Sequence, residues 1–223
     1  MNSSGELWGY AALVIDPFAF DPPETLATPR LTLRLPEVED AEDLLAVITH
    51  SAEHLRPFID WAALDYELDE VERRIRKTRS FFAQRDSFEW LLWAHSEASQ
   101  LTSRTARPVP DEAFYDTRIV GAVDLHSFNW SLRRAEFGFW TTVDGQGHGY
   151  IVEAARAVLA WASPLFTRIE ARCDVRNQRS RRTLERLGFQ LEGTLRRNIR
   201  DTSGQPADEH VFALLPELAD EVS

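Results

Sequence analysis

The residues with most chemical promise lie in Asp144-Gly145-Gln146-Gly147-His148-Gly149, between a strand-like run and a helix-like run. A helix begins with N–H groups that have no partner inside it, and its dipole favours negative charge there. Glycines in front of it let the backbone approach an anion's oxygens, because no Cβ intervenes. These residue types suit a phosphate-bearing ligand; a tight strand-to-helix turn with no ligand fits the same spacing. A Walker loop is excluded, since no lysine is present in the stretch. The dinucleotide fingerprint fails at its third glycine, where Val152 stands.

Other reactive residue types are scattered. His50 and His54 have the i, i+4 spacing of a zinc pair, but no third ligand is near and no HExxH occurs, so no metal is expected. Cys173 is the single cysteine, which excludes an internal disulfide and any multi-cysteine metal site. It falls mid-strand and reads as a small apolar filler, poorly placed to carry an acyl group. Arg179, Arg182 and Arg186 share one face of a later helix, suited either to a phosphate or to solvent.

Regular elements must position these groups. Before the glycine loop, Phe137, Phe139, Thr141 and Val143 alternate with Glu136, Gly138, Trp140 and Thr142, a strand with two distinct faces. After it, Ile151, Ala154, Ala155, Val158, Leu159 and Ala162 mark one side of a helix starting near Tyr150. Upstream, Leu31, Leu33 and Leu35 predict a first strand ended by Pro36, and helices are expected over Glu39–Ser51 and Asp69–Arg85. Between them, Pro57 turns the chain at His54-Leu55-Arg56-Pro57-Phe58-Ile59-Asp60-Trp61, whose aromatics either line a cleft or form core under a loop. Strands follow at Phe88–Ala94 and Arg118–Asn129, the second forming a hairpin with the strand through Glu136. Glu97–Thr117 is polar, carries Pro108 and Pro110, and reads as a long surface loop. Arg168–Val175 alternates, Asn177 is a good N-cap, Gly188 occupies a C-cap place, and two closing strands turn about Ser203-Gly204. This order predicts an α+β fold with a mixed, mostly antiparallel sheet flanked by helices.

A chain of 223 residues with seven Trp and thirteen Phe can bury a proper core. A net charge of -11 argues against a nucleic-acid partner. No signal peptide is recognisable and no apolar run approaches ~18 residues, so no membrane association and a cytoplasmic location are expected.

Taken together, four stretches resemble the GCN5-related N-acetyltransferases (GNAT), and within them the ribosomal-protein N-terminal (Rim-type) acetyltransferases. Gln146-Gly147-His148-Gly149-Tyr150 is similar to the family's acyl-CoA loop, departing from it at the sixth position, where Ile151 replaces the preferred Gly or Ala. Ala135-Glu136-Phe137-Gly138-Phe139-Trp140 resembles the Rim-type strand ahead of that loop. Cys173-Asp174-Val175-Arg176-Asn177-Gln178-Arg179-Ser180, with Leu187-Gly188-Phe189 beyond, resembles the following strand and helix. His54-Leu55-Arg56-Pro57 with Trp61 looks like the subgroup's substrate-side turn. The resemblance covers about Thr28 to Leu215, which suggests an N-terminal extension (1–28), an acetyltransferase domain (29–216) and a C-terminal tail (217–223).

The resemblance implies a sheet that splays beside its central strand and transfer of acetyl from acetyl-CoA to a primary amine, without metal. The acceptor it implies is a protein N-terminal α-amine, such as a ribosomal protein's. Small-molecule N-acetylation and a non-catalytic acyl-CoA sensor remain alternatives. An amine must be neutral to attack, and an α-amine titrates near 7.7–8.0, so a modest base suffices. Glu136, on the strand face opposite Phe137 and Phe139 and shared with small Gly138 and aromatic Trp140, is expected to be that base or an amine-binding group. Ser180 is the implied donor to the leaving thiolate. Phe139, Trp140, Thr141, Gln146, Gly147, His148, Gly149, Tyr150 and Asn177 are the expected cofactor contacts; His54, Phe58 and Trp61 are the expected substrate contacts. Either a monomer or a homodimer accords with this reading.

Overall fold

The computed structural model describes residues 15–63, 65–95 and 118–216. Eight strands form one sheet: β1 (Thr25–Ala27), β2 (Leu31–Arg34), β3 (Phe88–Ala94), β4 (Arg118–Asn129), β5 (Arg134–Thr141), β6 (Arg168–Asp174), β7 (Gln190–Arg200) and β8 (Pro206–Leu214). The helices are α1 (Ala41–Leu55), α2 (Leu68–Gln84), α3 (Tyr150–Ala162) and α4 (Gln178–Arg186). Strand order is β1-β2-β3-β4-β5-β6-β8-β7, antiparallel except for β5 against β6. The mixed α+β sheet expected from the sequence is what forms.

Alternation decides which face each residue serves. Phe88, Trp90, Val123, Leu125, Ala135 and Phe137 bury with Ala154, Ala155 and Val158 of α3 and Leu184 of α4. Leu91, Trp93, Ile119, Ala122 and Trp140 bury on the opposite face with Leu44 and Ile48 of α1 and Val71 and Ile75 of α2. The two faces of β5 therefore serve two separate cores.

The sheet takes in residues ahead of position 29. β1 pairs with β2, and Phe20 sits 5.8 Å from Trp130 and 6.1 Å from Trp161 by ring centroids. The Trp90 indole Nε1 donates to the Pro23 carbonyl at 2.7 Å. Residues 1–14 of the expected extension, the expected loop over 97–117 and the expected tail 217–223 lie outside the described residues.

β5 stops at Thr141, short of Val143. The Thr142 N–H still reaches the Val120 carbonyl at 3.0 Å, but its hydroxyl accepts the Gly145 N–H at 3.0 Å and closes a turn. Asn177 caps α4 as expected, its Oδ1 accepting the Ser180 N–H at 3.0 Å. Gly188 follows that helix at φ 91°, a conformation easy only without a Cβ.

Candidate active site

The site is built where two neighbouring strands part. β5 pairs with β6 only over Arg134–Glu136 against Arg168–Glu170. Beyond this, Phe137–Thr141 pairs only with β4, while Ala171–Asp174 pairs only with β8. A cavity of about 440 Å³ opens in the fork. β5 contributes Phe139, Trp140 and Thr141 to its wall, and β6 contributes Arg172, Cys173 and Asp174. The end of α1 and the turn after it add His54, Leu55, Phe58 and Ile59, and α4 adds Asn177, Arg179 and Ser180.

The glycine loop borders this cavity through Gln146. The Gly145 and Gln146 N–H groups turn back to the carbonyls of Thr142 and Val143 at 3.1 and 3.4 Å. Those of Gly147, His148, Gly149, Tyr150, Ile151 and Val152 make no hydrogen bond among the described residues; the next, Glu153, donates to the Gly149 carbonyl at 3.1 Å. Gly147 and Gly149 hold φ of 78° and 75°, which turns this run of donors outward at the N-terminus of α3. Ile151, the departure from the family pattern, is buried and lines the cavity.

Two arginines missed by the sequence reading hold the loop and the fork. Arg30 donates to the His148 carbonyl at 2.9 Å, contacts Glu153 through Nε at 2.7 Å, and lies 5.0 Å from the Tyr150 ring centroid. Arg172 stands among three carboxylates, with Glu136, Glu170 and Glu209 each 3.5 Å away. Arg179, one of the three arginines singled out on α4, contacts Gln146 across the cavity mouth.

The expected catalytic and binding residues divide into three groups. Phe139, Trp140, Thr141, Gln146, Asn177, Ser180, His54 and Phe58 all line the cavity. Gly147, His148, Gly149 and Tyr150 form the adjoining loop, with His148 stacked on Tyr150 at 5.3 Å. Trp61 stands behind the wall, edge-on to Trp140 at 5.6 Å, and Glu136 lies on β5 just before the fork opens. Glu136 faces His126 on β4 and Glu170 on β6, and its side chain is 22% exposed.

Electrostatics distinguish these groups. Burial, then the Arg179 charge, lowers the His54 pKa, so its imidazole is neutral near pH 7. Burial pushes the Cys173 thiol up to about 11, against the Ser180 hydroxyl's hydrogen bond, consistent with a structural filler. His50 pairs with Asp144 at 3.5 Å, and among the described residues no cluster has the makings of a metal site.

Among the described residues Asp124 on β4 is the carboxyl with the marked upward shift, raised to about 8 by burial and then by Glu89, with Arg74 opposing the rise and Glu136 adding to it. The sequence reading passed over it. The available signal was a lone carboxylate inside the apolar run Ile119-Val120-Gly121-Ala122-Val123-Asp124-Leu125.

A forked sheet whose gap meets a helix bearing free amides is the geometry of a cleft for an anionic ligand with an extended arm. The sequence profile described as Acetyltransferase (GNAT) domain matches residues 30–190. The chain belongs to the GNAT acetyltransferase family, and it is an acetyl-CoA-dependent N-acetyltransferase.

Among its relatives is YdaF of Bacillus subtilis (strain 168), which carries the provisional name of a ribosomal N-acetyltransferase. It is 27% identical over 188 residues, 83% of this chain and 91% of YdaF. Two solved structures share the fold. The microcin C7 self-immunity acetyltransferase MccE, in complex with acetyl-CoA and AMP, has a TM-score of 0.73 at 20% identity, covering 87% of this chain and 98% of its own. The ribosomal L7/L12 α-N-protein acetyltransferase RimL, in complex with coenzyme A, has a TM-score of 0.72 at 17% identity, covering 86% and 98%. No helix among the described residues is long and apolar enough to cross a membrane.

Proposed function

We propose that this chain moves acetyl from acetyl-CoA onto a protein's N-terminal α-amine, ribosomal proteins being the first candidates, by direct attack within a ternary complex. The observation that carries the reading is the run of free amides from Gly147 to Val152 beside the fork between β5 and β6. Those amides hold the CoA diphosphate, and Gln146 flanks it. The pantetheine arm runs along Phe139–Thr141 as an added strand would, using backbone groups that β6 leaves unpaired.

The Asn177 cap uses only that residue's carbonyl oxygen, so its NH2 serves the same arm. Ser180, on the cavity wall, donates to the departing thiolate. The acceptor enters past His54, Phe58 and Ile59, with Trp61 bracing the Trp140 wall. Glu136 binds the incoming amine, its own charge steadied by Arg172. The names of YdaF and RimL support a protein N-terminus as acceptor.

The test is release of free thiol from acetyl-CoA with peptides beginning in Ala or Ser, run beside amino acids, polyamines and aminoglycosides. Higher kcat/KM on the peptides is the expected result. Turnover on small amines alone would assign the chain to that acceptor class. A rise in melting temperature with acetyl-CoA, but no thiol release with any amine, would make it a sensor.

A further inference from the structure

Three carboxylates from three adjacent strands meet on the face of the sheet that α1 and α2 cover, next to the residues that line the cavity rather than among them. Glu89 of β3 is opposite Asp124 of β4, and Asp124 is opposite Gly138 of β5. Glu136, two residues before Gly138, projects on the same side and is opposite His126. Gly138 leaves the space that Asp124 fills: a Cβ there would stand 2.5 Å from Asp124 Oδ1. The residues after Gly138, Phe139 to Thr141, are the cavity wall.

The three carboxylates are not equivalent. Glu89 has Arg74 at 3.6 Å and Glu136 has Arg172 at 3.5 Å, whereas Asp124 has His126 Nε2 at 3.5 Å. His126 is about a third exposed, and its Nδ1 lies 2.8 Å from the Ser127 hydroxyl, so it can pass a proton outward. Close by on the same face, Trp140 contributes to the cavity wall, and its buried indole N–H has no hydrogen-bond partner among the described residues.

We propose that Asp124 takes the proton from the acceptor amine, with His126 as its outlet to solvent and Glu136 holding the amine in place. This rests on the acetyltransferase reading above and adds a catalytic residue to it. The ammonium gives one proton to the Asp124 carboxylate and becomes a neutral amine. Its nitrogen then forms the bond to the thioester carbon, and the C–S bond breaks. One of its two remaining protons leaves the nitrogen for the CoA thiolate and the other stays as the amide N–H, so amide, free thiol and one proton delivered to Asp124 complete the balance. Burial, then Glu89 and, less strongly, Glu136 disfavour charge on Asp124 and Arg74 favours it, which leaves a base matched to an α-amine.

Asp124→Asn, Asp124→Ala and Glu136→Gln are compared with the unaltered chain on acetyl-CoA and the best acceptor of the amine panel. Asp124→Asn is expected to lower kcat about 100-fold, with the KM for acetyl-CoA unchanged within about twofold. Exogenous formate is expected to restore part of the rate to Asp124→Ala and none to Glu136→Gln. Should the Asp124 variants fold poorly, Gly138→Ala displaces the same carboxylate by a side-chain shift and must give the same fall in kcat. A kcat for Asp124→Asn within about threefold of the unaltered enzyme, with an unchanged pH profile, overturns the role of Asp124 alone. If the unaltered chain binds acetyl-CoA yet acetylates no amine, the acetyltransferase reading falls and the role falls with it.

Discussion

Replacing Asp124 by Asn should make the protein more stable, and by an amount that depends on pH. In the folded chain this carboxyl is raised from 3.8 to about 8. Between those values the folded state holds a proton that the unfolded chain has lost, so unfolding is favoured progressively as pH rises from about 4 to about 8. Each unit is worth about 1.4 kcal/mol, which at pH 7 gives a ceiling of about 4 kcal/mol. The side chain is 28% exposed, so water reaches it and screens the repulsion from Glu89 and Glu136. Roughly half the ceiling, about 2 kcal/mol, is the reasonable expectation. Asn keeps the shape and never ionises, so this cost is removed. Urea titrations of both chains at pH 4.5, 6, 7 and 8 supply the assay. The carboxylates held low by arginine, such as Asp174 beside Arg176, pull the other way in both chains. The difference between the chains therefore isolates Asp124. It should be small at pH 4.5 and grow to about 2 kcal/mol by pH 7–8, or roughly 4–8 °C in melting temperature. A difference that stays flat with pH, or an Asn variant less stable at pH 8, would refute the reasoning. A more stable and slower variant is also the signature expected of a residue kept for chemistry at a cost in folding.

Arg30→Gln should raise the KM for acetyl-CoA about tenfold while leaving kcat within about twofold, because it frees the His148 carbonyl and Glu153 without touching the acceptor face; steady-state kinetics with varied acetyl-CoA checks this, and an unchanged KM would remove Arg30 from loop positioning. Cys173, buried and pushed up to about 11, should react with iodoacetamide at pH 8 on the order of 100-fold more slowly than free cysteine; labelling followed by intact mass is the measurement, and labelling at the rate of free cysteine would contradict its burial.

The contrast between Glu136 and Asp124 explains how far the sequence could be read. Glu136 sits in a motif that spans consecutive residues, as do the glycine loop, the Asn177 cap and the helix opening at Tyr150; each is written within a few positions, and each forms where alternation or capping places it. β3 and β4 keep the bounds expected from their apolar patterns for the same reason. Asp124 carries no local sign beyond its isolation in an apolar strand, where simple alternation makes it one more residue on a face. Its altered acidity comes first from burial in the assembled sheet and then from Glu89, with Glu136 adding to it; the two glutamates lie on the strands to either side, so the effect depends on strand register. Arg30 likewise gains its purpose from Glu153, 123 positions away, and Arg172 gains its own from Glu136, Glu170 and Glu209 on three different strands. Short-range pattern specifies elements and loops because backbone geometry is local. Proton affinity is set by whichever charges share a low-dielectric space, and only the assembled sheet decides which those are. A base built this way can move between positions on the same face while the surrounding motif stays intact. The acceptor face of β3, β4 and β5 is accordingly the place where acetyltransferases of this fold should differ most in the pH at which they work.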